Sequence, residues 1–244
     1  MKVFLAGTSA RIDFEEIYTC PYVLESFISF DKRQKRQIEN AEIFMLDSGA
    51  FTFMNRSNNG RVDFDAYLQK YIRFINENSI RYFFELDLDS IIGYEEVKRY
   101  RRILERETGR KCIPVWHRSR GIDEYRRMCD EYDYAAIGGI ATGEITRKEY
   151  EAFTPLLKIA KANGCKMHGL GFTYTDKLHE YRFDSVDSTT WLSGSRFGTA
   201  YHFNGRIMKR HRKRDSRVAV HYKTMDRHNL REWMKFQKYA DCHL

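Results

Sequence analysis

The stretch FDSVDSTTWLSG, residues 183–194, follows the apolar run KMHGLGF at 166–172. That run is typical of a buried strand, and the short strand after it ends at Asp187 among small hydroxyl residues. A carboxylate at the point where a strand opens into a loop is held rigidly and points into the mouth of the fold, where strand-and-helix barrels keep their chemistry. The alternative is that Asp187 only caps the turn after its strand.

A second stretch repeats this arrangement far upstream. In IFMLDSGAF, residues 43–51, Asp47 also ends an apolar run and precedes small residues. A single Asp in this position would be interpreted as a cap, but two in similar settings favour a functional role for both side chains. Two carboxylates that meet in space are typical of general acid–base or nucleophilic chemistry at a carbon centre.

The rest of the chain alternates between strand-like and helix-like segments. Besides the two stretches above, strands are predicted at 2–7, 81–89, 111–117, 134–140 and 166–172. Helical patterns are found at 65–78, 93–109, 123–132 and 146–164, and residues 13–30 are predicted to be partly helical. This alternation indicates a parallel sheet. Seven strands, with an eighth expected within 196–222, predict an α/β fold of the TIM-like (β/α)8 barrel type.

The chain of 244 residues fits one domain, with the barrel over 1–204 and a basic C-terminal extension with a terminal helix over 205–244. The formal net charge is +8, which favours an anionic partner such as nucleic acid. The five cysteines form no CxxC pair, which argues for a reducing compartment and against a Cys-rich zinc site. We expect no membrane span, because no apolar run approaches about 18 residues. A monomer and a homodimer are both left open.

The extension begins with a dense cluster of positive charge. The basic segment, RIMKRHRKRDSR at 206–217, carries seven Lys or Arg side chains in twelve residues. They are Arg206, Lys209, Arg210, Arg212, Lys213, Arg214 and Arg217. Such density favours a surface that contacts nucleic-acid phosphates, and the alternative is a solvated charge run.

Three further acids lie in ELDLD, residues 85–89. On a strand of period two, Glu85, Asp87 and Asp89 would share one side. Asp87 could then accept hydrogen bonds from the N1–H and exocyclic amine of guanine. The alternatives are a metal-free structural network and a loop-exposed Asp89.

Other candidates end the neighbouring predicted strands. His117 closes PVWH and would add a polar group, although a lone His is more often structural. Gly138, Gly139 and Ile140 form a GGI turn in which backbone can approach a ligand closely. Phe51 follows the LDSGA turn and could stack on a flat ring or simply pack under its loop.

Together these segments resemble the tRNA-guanine transglycosylase superfamily, in particular its shorter phage-type branch of DNA 7-deazaguanine transglycosylases. LDSGAF is similar to the family's DSGGFQ segment, AIGGIATGE to its GGLxxGE segment, and HGLGF to the HxLG strand that precedes the nucleophile strand. The similarity covers roughly residues 43–195. It lies in the order and spacing of the motifs, because each motif alone is weak.

The resemblance implies a role for each matching residue. Asp187 is the implied nucleophile, Asp47 the second active-site aspartate and Phe51 the base-stacking aromatic. The implied base-recognition residues are Asp87 or its neighbour Asp89, His117, and the Gly138–Gly139–Ile140 backbone. His168 and Gly169, from HGLGF, are placed with them among the substrate-binding residues.

The implied reaction exchanges guanine in DNA for a free 7-deazaguanine base such as preQ0, through a covalent aspartyl-glycosyl intermediate and without a metal or cofactor. The tRNA-modifying relatives carry a Cys/His zinc site after the nucleophile strand, and their PTR motif follows the nucleophile. This sequence has neither, which favours DNA over tRNA. The alternatives are a tRNA or RNA guanine transglycosylase and a non-catalytic nucleic-acid-binding barrel. We expect a cytoplasmic location, in the host if the protein is phage-encoded.

Overall fold

The computed structural model describes residues 1–54, 62–212 and 221–244, except for the side chains of Phe51, Met54 and Arg212. The parallel strands are β1 (Lys2–Ala6), β2 (Tyr22–Ser26), β3 (Ile43–Asp47), β4 (Tyr82–Phe83), β5 (Val115–Trp116), β6 (Tyr134–Ile137), β7 (Lys166–Gly169) and β8 (Ser185–Ser188). An antiparallel pair follows, β9 (Thr199–Phe203) and β10 (Met208–Arg212).

α-Helices lie between most consecutive parallel strands, except between β1 and β2 and between β7 and β8, and two more follow β8. They are α1 (Lys35–Asn40), α2 (Ala50–Met54), α3 (Phe64–Glu77), α4 (Asp89–Ile92), α5 (Tyr94–Thr108), α6 (Gly121–Glu131), α7 (Phe153–Ala162), α8 (Ser193–Phe197) and α9 (Tyr222–His243). The carboxylate of Asp63 caps α3 by accepting a hydrogen bond from the Ala66 amide at 2.9 Å. Gly109 ends α5 in the left-handed conformation, with φ 65°.

The eight parallel strands form one sheet in the order β4-β3-β2-β1-β8-β7-β6-β5. A parallel bridge between Phe84 and Ile113 joins the two ends of this order. There the Ile113 amide donates to the Phe83 carbonyl at 2.8 Å, and the Glu85 amide donates to the Ile113 carbonyl at 3.1 Å. The sheet is therefore curled, and the predicted α/β fold with eight parallel strands of the TIM-barrel type is confirmed at this level.

Apolar side chains fill both faces of the curled sheet. One cluster joins alternate positions of neighbouring strands, including Phe4, Leu24, Met45 and Val115. The larger cluster contains the other face of the strands and the apolar faces of the surrounding helices. Because both faces are covered, the strands are short apolar runs without a polar alternation.

One strand was missed, and the position predicted for the eighth strand was wrong. Residues 13–30 were predicted to be partly helical, and short 3-10 helices lie at Glu15–Thr19 and Phe27–Ser29, but Tyr22–Ser26 between them is strand β2, which pairs in parallel with both β1 and β3. Its first four residues are buried, so its sequence YVLES lacks the alternation that marks a half-exposed strand. The eighth parallel strand is consequently not within 196–222, where β9 and β10 pair with each other instead.

The predicted strand over 81–89 is also shorter than expected. Regular strand structure is limited to β4, and Leu88, with φ −96° and ψ 25°, turns the chain into helix α4. Glu85, Asp87 and Asp89 therefore do not share one side of a strand.

The C-terminal helix α9 packs onto the sheet. Leu230, Trp233 and Phe236 are buried, and the Gln237 amide donates to the Val3 carbonyl at 2.8 Å and to the Tyr22 carbonyl at 2.9 Å. The boundary predicted at 204/205 lies in the turn between β9 and β10. The described part of the extension thus shares the core of the preceding chain. Across the described ranges, no helix is long and apolar enough to cross a membrane.

Candidate active site

A cavity of about 760 Å³ opens where the parallel strands end. Its walls contain residues from the end of each strand or from the loop that follows it. Charged and histidine side chains in the lining are Glu25, Asp47, Asp87, His117, Arg147 and Asp187. Parallel strands direct their carboxyl ends to one edge, which explains how acids far apart in sequence share one cavity.

Asp187 lies on β8 with 7% of its surface exposed. Its Oδ1 accepts a hydrogen bond from the Gly171 amide at 2.5 Å and lies 3.3 Å from Nε2 of His168. Behind it, Nδ1 of His168 lies 2.5 Å from Oγ of Ser185, which lies 2.5 Å from the hydroxyl of Tyr134. This chain of contacts fixes the carboxylate in one orientation, as a positioned nucleophile requires.

Asp47 ends β3 and accepts a hydrogen bond from the Gly49 amide on Oδ2 at 3.0 Å. Burial raises the pKa of Asp47 to about 7, and the negative charges of Asp87 and Asp187 add to this shift. The carboxyl group therefore changes protonation state near neutral pH. Such a group can both donate and accept a proton during one catalytic cycle.

Asp87 and His117, which follow strands β4 and β5, form a hydrogen-bonded pair in the cavity lining. Oδ2 of Asp87 lies 3.2 Å from Nε2 of His117, and Nδ1 of His117 lies 3.1 Å from Oε2 of Glu144. Burial raises the pKa of Asp87 although the hydrogen bond with His117 opposes the shift. Burial disfavours the charged form of His117, but the hydrogen bond with Asp87 and its charge raise the His117 pKa overall.

The glycine pair after β6 makes room for this arrangement. A Cβ on Gly138 would lie 2.7 Å from Cε1 of His117. A Cβ on Gly139, which has φ +79°, would lie 2.6 Å from Oε2 of Glu144. Gly139 and Ile140 line the cavity, whereas Gly138 packs against the His117 ring.

Asp89 does not line the cavity. Both of its oxygens bind the buried Arg120, at 2.8 Å from Nε and 2.7 Å from Nη2. Arg120 also donates to Glu85 at 2.7 Å, and Arg101 donates to the second oxygen of Glu85 at 2.6 Å. Of the ELDLD acids, Asp87 alone lines the cavity, and the other two belong to a buried ion network.

The other residues predicted from the sequence to belong to the site either lie away from the cavity surface or fall outside the described residues. His168 is fully buried beneath Asp187, and Gly169 packs against Phe172 and Phe183. The side chain of Phe51 is outside the described part. Arg206, Lys209 and Arg210 are exposed in and after the β9–β10 turn. The Arg212 side chain and Lys213, Arg214 and Arg217 lie outside the described residues.

Sequence reasoning missed two acids of the site. Glu25 lines the cavity from the end of β2, and YVLES carried the same signal as IFMLD, an apolar run closed by an acid. Glu144 supports His117 from the loop after β6; the sequence signal for it was the final Glu of AIGGIATGE, which matches the last residue of the GGLxxGE segment but was given no role.

The cavity is acidic although the whole chain is basic. Among the described residues of the lining, the acids Glu25, Asp47, Asp87 and Asp187 outnumber the groups that can carry positive charge, which are His117 and the rim residue Arg147. The Arg147 guanidinium lies 3.9 Å from the centroid of the Tyr174 ring. A lining rich in acceptors suits a neutral ligand with several N–H donors. In the described ranges, no three His, Cys, Asp or Glu side chains are grouped as a metal site would need.

No protein-family model and no curated protein matches the sequence. Among solved structures, a variant of the carboxyl transferase domain from Rhizobium etli pyruvate carboxylase with pyruvate has a TM-score of 0.51 and 15% identity. The same domain with pyruvate has a TM-score of 0.49 and 13% identity. Both matches cover 98% of this chain and 48% of the other, so the chain spans about half the length of those structures. At this identity the similarity concerns the fold alone.

Proposed function

We propose that this protein is a nucleic-acid guanine transglycosylase of the DNA 7-deazaguanine type, built on a (β/α)8 barrel. The observation that carries the proposal is the joint placement of Asp187 and Asp47 in one cavity. Asp187 is held in a fixed orientation, whereas Asp47 has a pKa near 7. A fixed nucleophile beside a group that exchanges protons at neutral pH suits a double displacement at a sugar carbon.

In the proposed first step, the Asp187 carboxylate attacks C1′ of the nucleotide. The C1′–N9 bond breaks, its electron pair leaves with guanine, and Asp47 supplies the proton that neutralises the departing base. The product is an aspartyl-glycosyl ester. In the second step a free 7-deazaguanine such as preQ0 attacks C1′, its ring proton passes to Asp47, and the Asp187 carboxylate leaves.

The wall of the cavity that contains Asp87 and His117 suits recognition of the base. Asp87 presents a carboxylate that can accept from the N1–H and the exocyclic amine of guanine. His117 holds one oxygen of Asp87, and Glu144 holds His117. Backbone at Gly139 and Ile140 lines the same wall. A target base must leave the stack to enter this cavity, so the substrate is a flipped or single-stranded nucleotide.

Base exchange with labelled guanine tests the proposal. Wild-type protein should incorporate label into duplex or single-stranded DNA, and Asp187→Ala should reduce the rate by at least about 10³-fold. Asp176→Ala, which changes an exposed loop carboxylate, serves as the matched control. A covalent DNA adduct should form with wild type and be lost with Asp187→Ala.

A parallel assay replaces DNA with tRNA and tests which nucleic acid is the substrate. Incorporation into tRNA alone would replace DNA by RNA as the substrate. Incorporation into neither, with nucleic-acid binding intact, would favour a non-catalytic barrel and contradict the proposal.

A further inference from the structure

Arg147 is a cation of the cavity lining that the reaction above does not use. It lies in the connection between β6 and β7, and its side chain is exposed at the rim. Among the described residues its guanidinium has no ion-pair or hydrogen-bond partner, and Cζ lies 3.9 Å from the centroid of the Tyr174 ring. The N–H groups of Arg147 are therefore open to a ligand.

Other cationic side chains close to the cavity are already paired. His117 lies between two carboxylates, at 3.2 and 3.1 Å. Arg118 donates to Glu149 at 2.7 Å, and the buried Arg120 binds two further acids, each at 2.7 Å. Arg147 differs from these three, because its contact is with a neutral aromatic ring.

The ring beneath Arg147 is itself held in place. The Tyr174 ring packs against those of Tyr150 and Phe172, with centroids 5.7 and 6.2 Å apart. A guanidinium over the face of a fixed ring keeps its donors at the edge of its own plane, where they are free to bind. Such a planar set of donors matches the oxygens of a phosphate.

The loop that supports Arg147 also holds the proposed nucleophile. In the segment after β7, the Gly171 amide donates to Asp187 at 2.5 Å, and Tyr174 follows three residues later. This segment packs against the loop after β6, because a Cβ on Gly171 would lie 3.0 Å from Cβ of Ala141. Arg147 is thus on the arc of the rim that borders Asp187.

The acids of the cavity give this position its significance. Four carboxyl groups line the cavity, and their negative charge repels the phosphates of a nucleic-acid strand. A base that enters the cavity leaves its flanking phosphates at the mouth. A cation at the rim, close to the residue that attacks the sugar, would offset this repulsion where the strand approaches.

We propose that Arg147 binds a backbone phosphate that flanks the target nucleotide, while Tyr174 holds the guanidinium in place. This inference rests on the proposed function, because it takes the ligand to be a nucleotide within a strand. DNA and RNA carry the same phosphodiester, so the contact does not depend on which of them is the substrate. Free guanine would bind without using Arg147.

Neutral linkages test the contact. The substrate is a single-stranded deoxyoligonucleotide with one guanine, and a methylphosphonate removes the charge of the linkage on its 5′ or its 3′ side. Arg147→Met removes the guanidinium and keeps an unbranched side chain over Tyr174. We expect it to raise Kd, measured by fluorescence anisotropy, and to lower kcat/KM for base exchange, each about tenfold. One methylphosphonate should cost wild type a similar factor but cost Arg147→Met less than about twofold.

Lys148→Met is the matched control. Lys148 is the next residue of the same short helix, is exposed and does not line the cavity. This variant should stay within about twofold of wild type and respond to both methylphosphonates as wild type does. Calorimetric affinity for free guanine should be unchanged in both variants.

Each other result contradicts the inference in a recognisable way. If the effects of Arg147→Met and of each methylphosphonate simply multiply, or if neither methylphosphonate weakens wild type, Arg147 contacts no flanking phosphate. An equal effect of Lys148→Met would show a general effect of positive charge. A parallel loss of guanine affinity would place Arg147 in the base site.

The two readouts separate this inference from the proposed function. Oligonucleotide binding without exchange by the wild-type protein would overturn the proposed function, and the anisotropy comparison would still decide the phosphate contact. Absence of binding as well as exchange would overturn both.

Discussion

At the scale of single residues, the unusual feature is the number of acids that share one cavity. Glu25, Asp47 and Asp87 all have pKa values above their usual range, with burial as the largest cause. Each has a different local partner, so each is suited to a different task. Asp47 borders Asp87 and Asp187 closely enough to be affected by both of their charges.

Asp47 should make the stability of the protein depend on pH. Its pKa is raised from 3.8 to about 7 in the folded state. The folded state therefore holds a proton that the unfolded chain releases, and stability is lost as pH rises from about 4 to 7. Roughly 2–3 kcal/mol of this loss should fall between pH 5 and 8.

Urea denaturation of wild type and Asp47→Asn at pH 5 and 8 measures this contribution. The variant cannot ionise at position 47, so its stability should fall less with pH than that of wild type. Asp176→Asn, at an exposed loop position, should behave as wild type. Parallel pH dependence of wild type and Asp47→Asn would show that Asp47 does not titrate in this range.

Asp87 should determine guanine affinity. Asp87→Asn replaces one acceptor by a donor that faces the N–H groups of the base. We expect a loss of about 1.5–3 kcal/mol, or roughly 10- to 150-fold in Kd for free guanine, measured by calorimetry. Asp89→Asn is the control, because Asp89 binds Arg120 and does not line the cavity. A larger effect of Asp89→Asn on guanine affinity, without a loss of stability, would assign base recognition to Asp89.

At the scale of elements, the backbone conformation of the loop after β6 determines where side chains of the site lie. Gly139 takes φ +79° and lies directly beneath Glu144, which in turn holds His117 against Asp87. Glycine is needed at Gly139 for two reasons, the left-handed backbone and the absence of a Cβ. The loop thereby fixes the orientation of His117, which directly follows the neighbouring strand β5.

Gly139→Ala and Gly143→Ala separate these two reasons. Both glycines have φ +79°, but a Cβ on Gly143 would meet no atom within 4 Å. Each substitution should cost about 1–2 kcal/mol of stability from backbone strain. Gly139→Ala should additionally displace Glu144 and weaken guanine binding several-fold, as thermal unfolding and calorimetry can measure together. Equal guanine affinities in the two variants would show that Glu144 does not support the base site.

At the scale of the whole molecule, positive and negative charge are separated. The chain carries a formal charge of +8, yet among the described residues the ionisable groups that line the cavity are mainly acids. Most of the positive charge therefore lies outside the described cavity lining. Arg206, Lys209 and Arg210 are exposed in and after the β9–β10 turn, and Met208 donates its amide to Thr175, next to the cavity residue Tyr174. This hairpin links the start of the basic segment to the cavity rim.

The basic segment should therefore control the salt dependence of nucleic-acid binding. We expect the Ala variant of Arg210, Arg212, Lys213 and Arg214 to have a shallower slope of log affinity against log salt concentration. The slope should change by about two to four, because each phosphate contact contributes about −0.9 to it on duplex DNA. Exchange at saturating nucleic acid should remain. Replacing Lys158 and Lys161, exposed on the outer helix α7, should leave the slope unchanged. An unchanged slope in the fourfold variant would show that the segment is only a solvated surface.

The sequence by itself determined the fold class and several of the acids that meet in the cavity. Alternating apolar runs and amphipathic helices indicated the parallel sheet, and polar residues directly after apolar runs indicated Asp47, Asp87, His117 and Asp187. These signals are local, because a strand that ends at the rim of such a sheet is a short apolar run closed by a polar residue.

Only the tertiary structure decided which candidates face the cavity. Asp87 and Asp89 are equivalent in the sequence, and Arg120, from a distant segment, binds one of them and leaves the other free to line the cavity. Strand β2 and its Glu25 were missed although YVLES, like IFMLD, is an apolar run closed by an acid, because short helices lie on both sides of it and its pairing with β1 and β3 is long-range. The docking of α9 on β1 likewise depends on pairings across almost the whole chain. Such long-range contacts decide which of several residues with similar local sequence faces the cavity. A local sequence pattern therefore cannot predict the outcome.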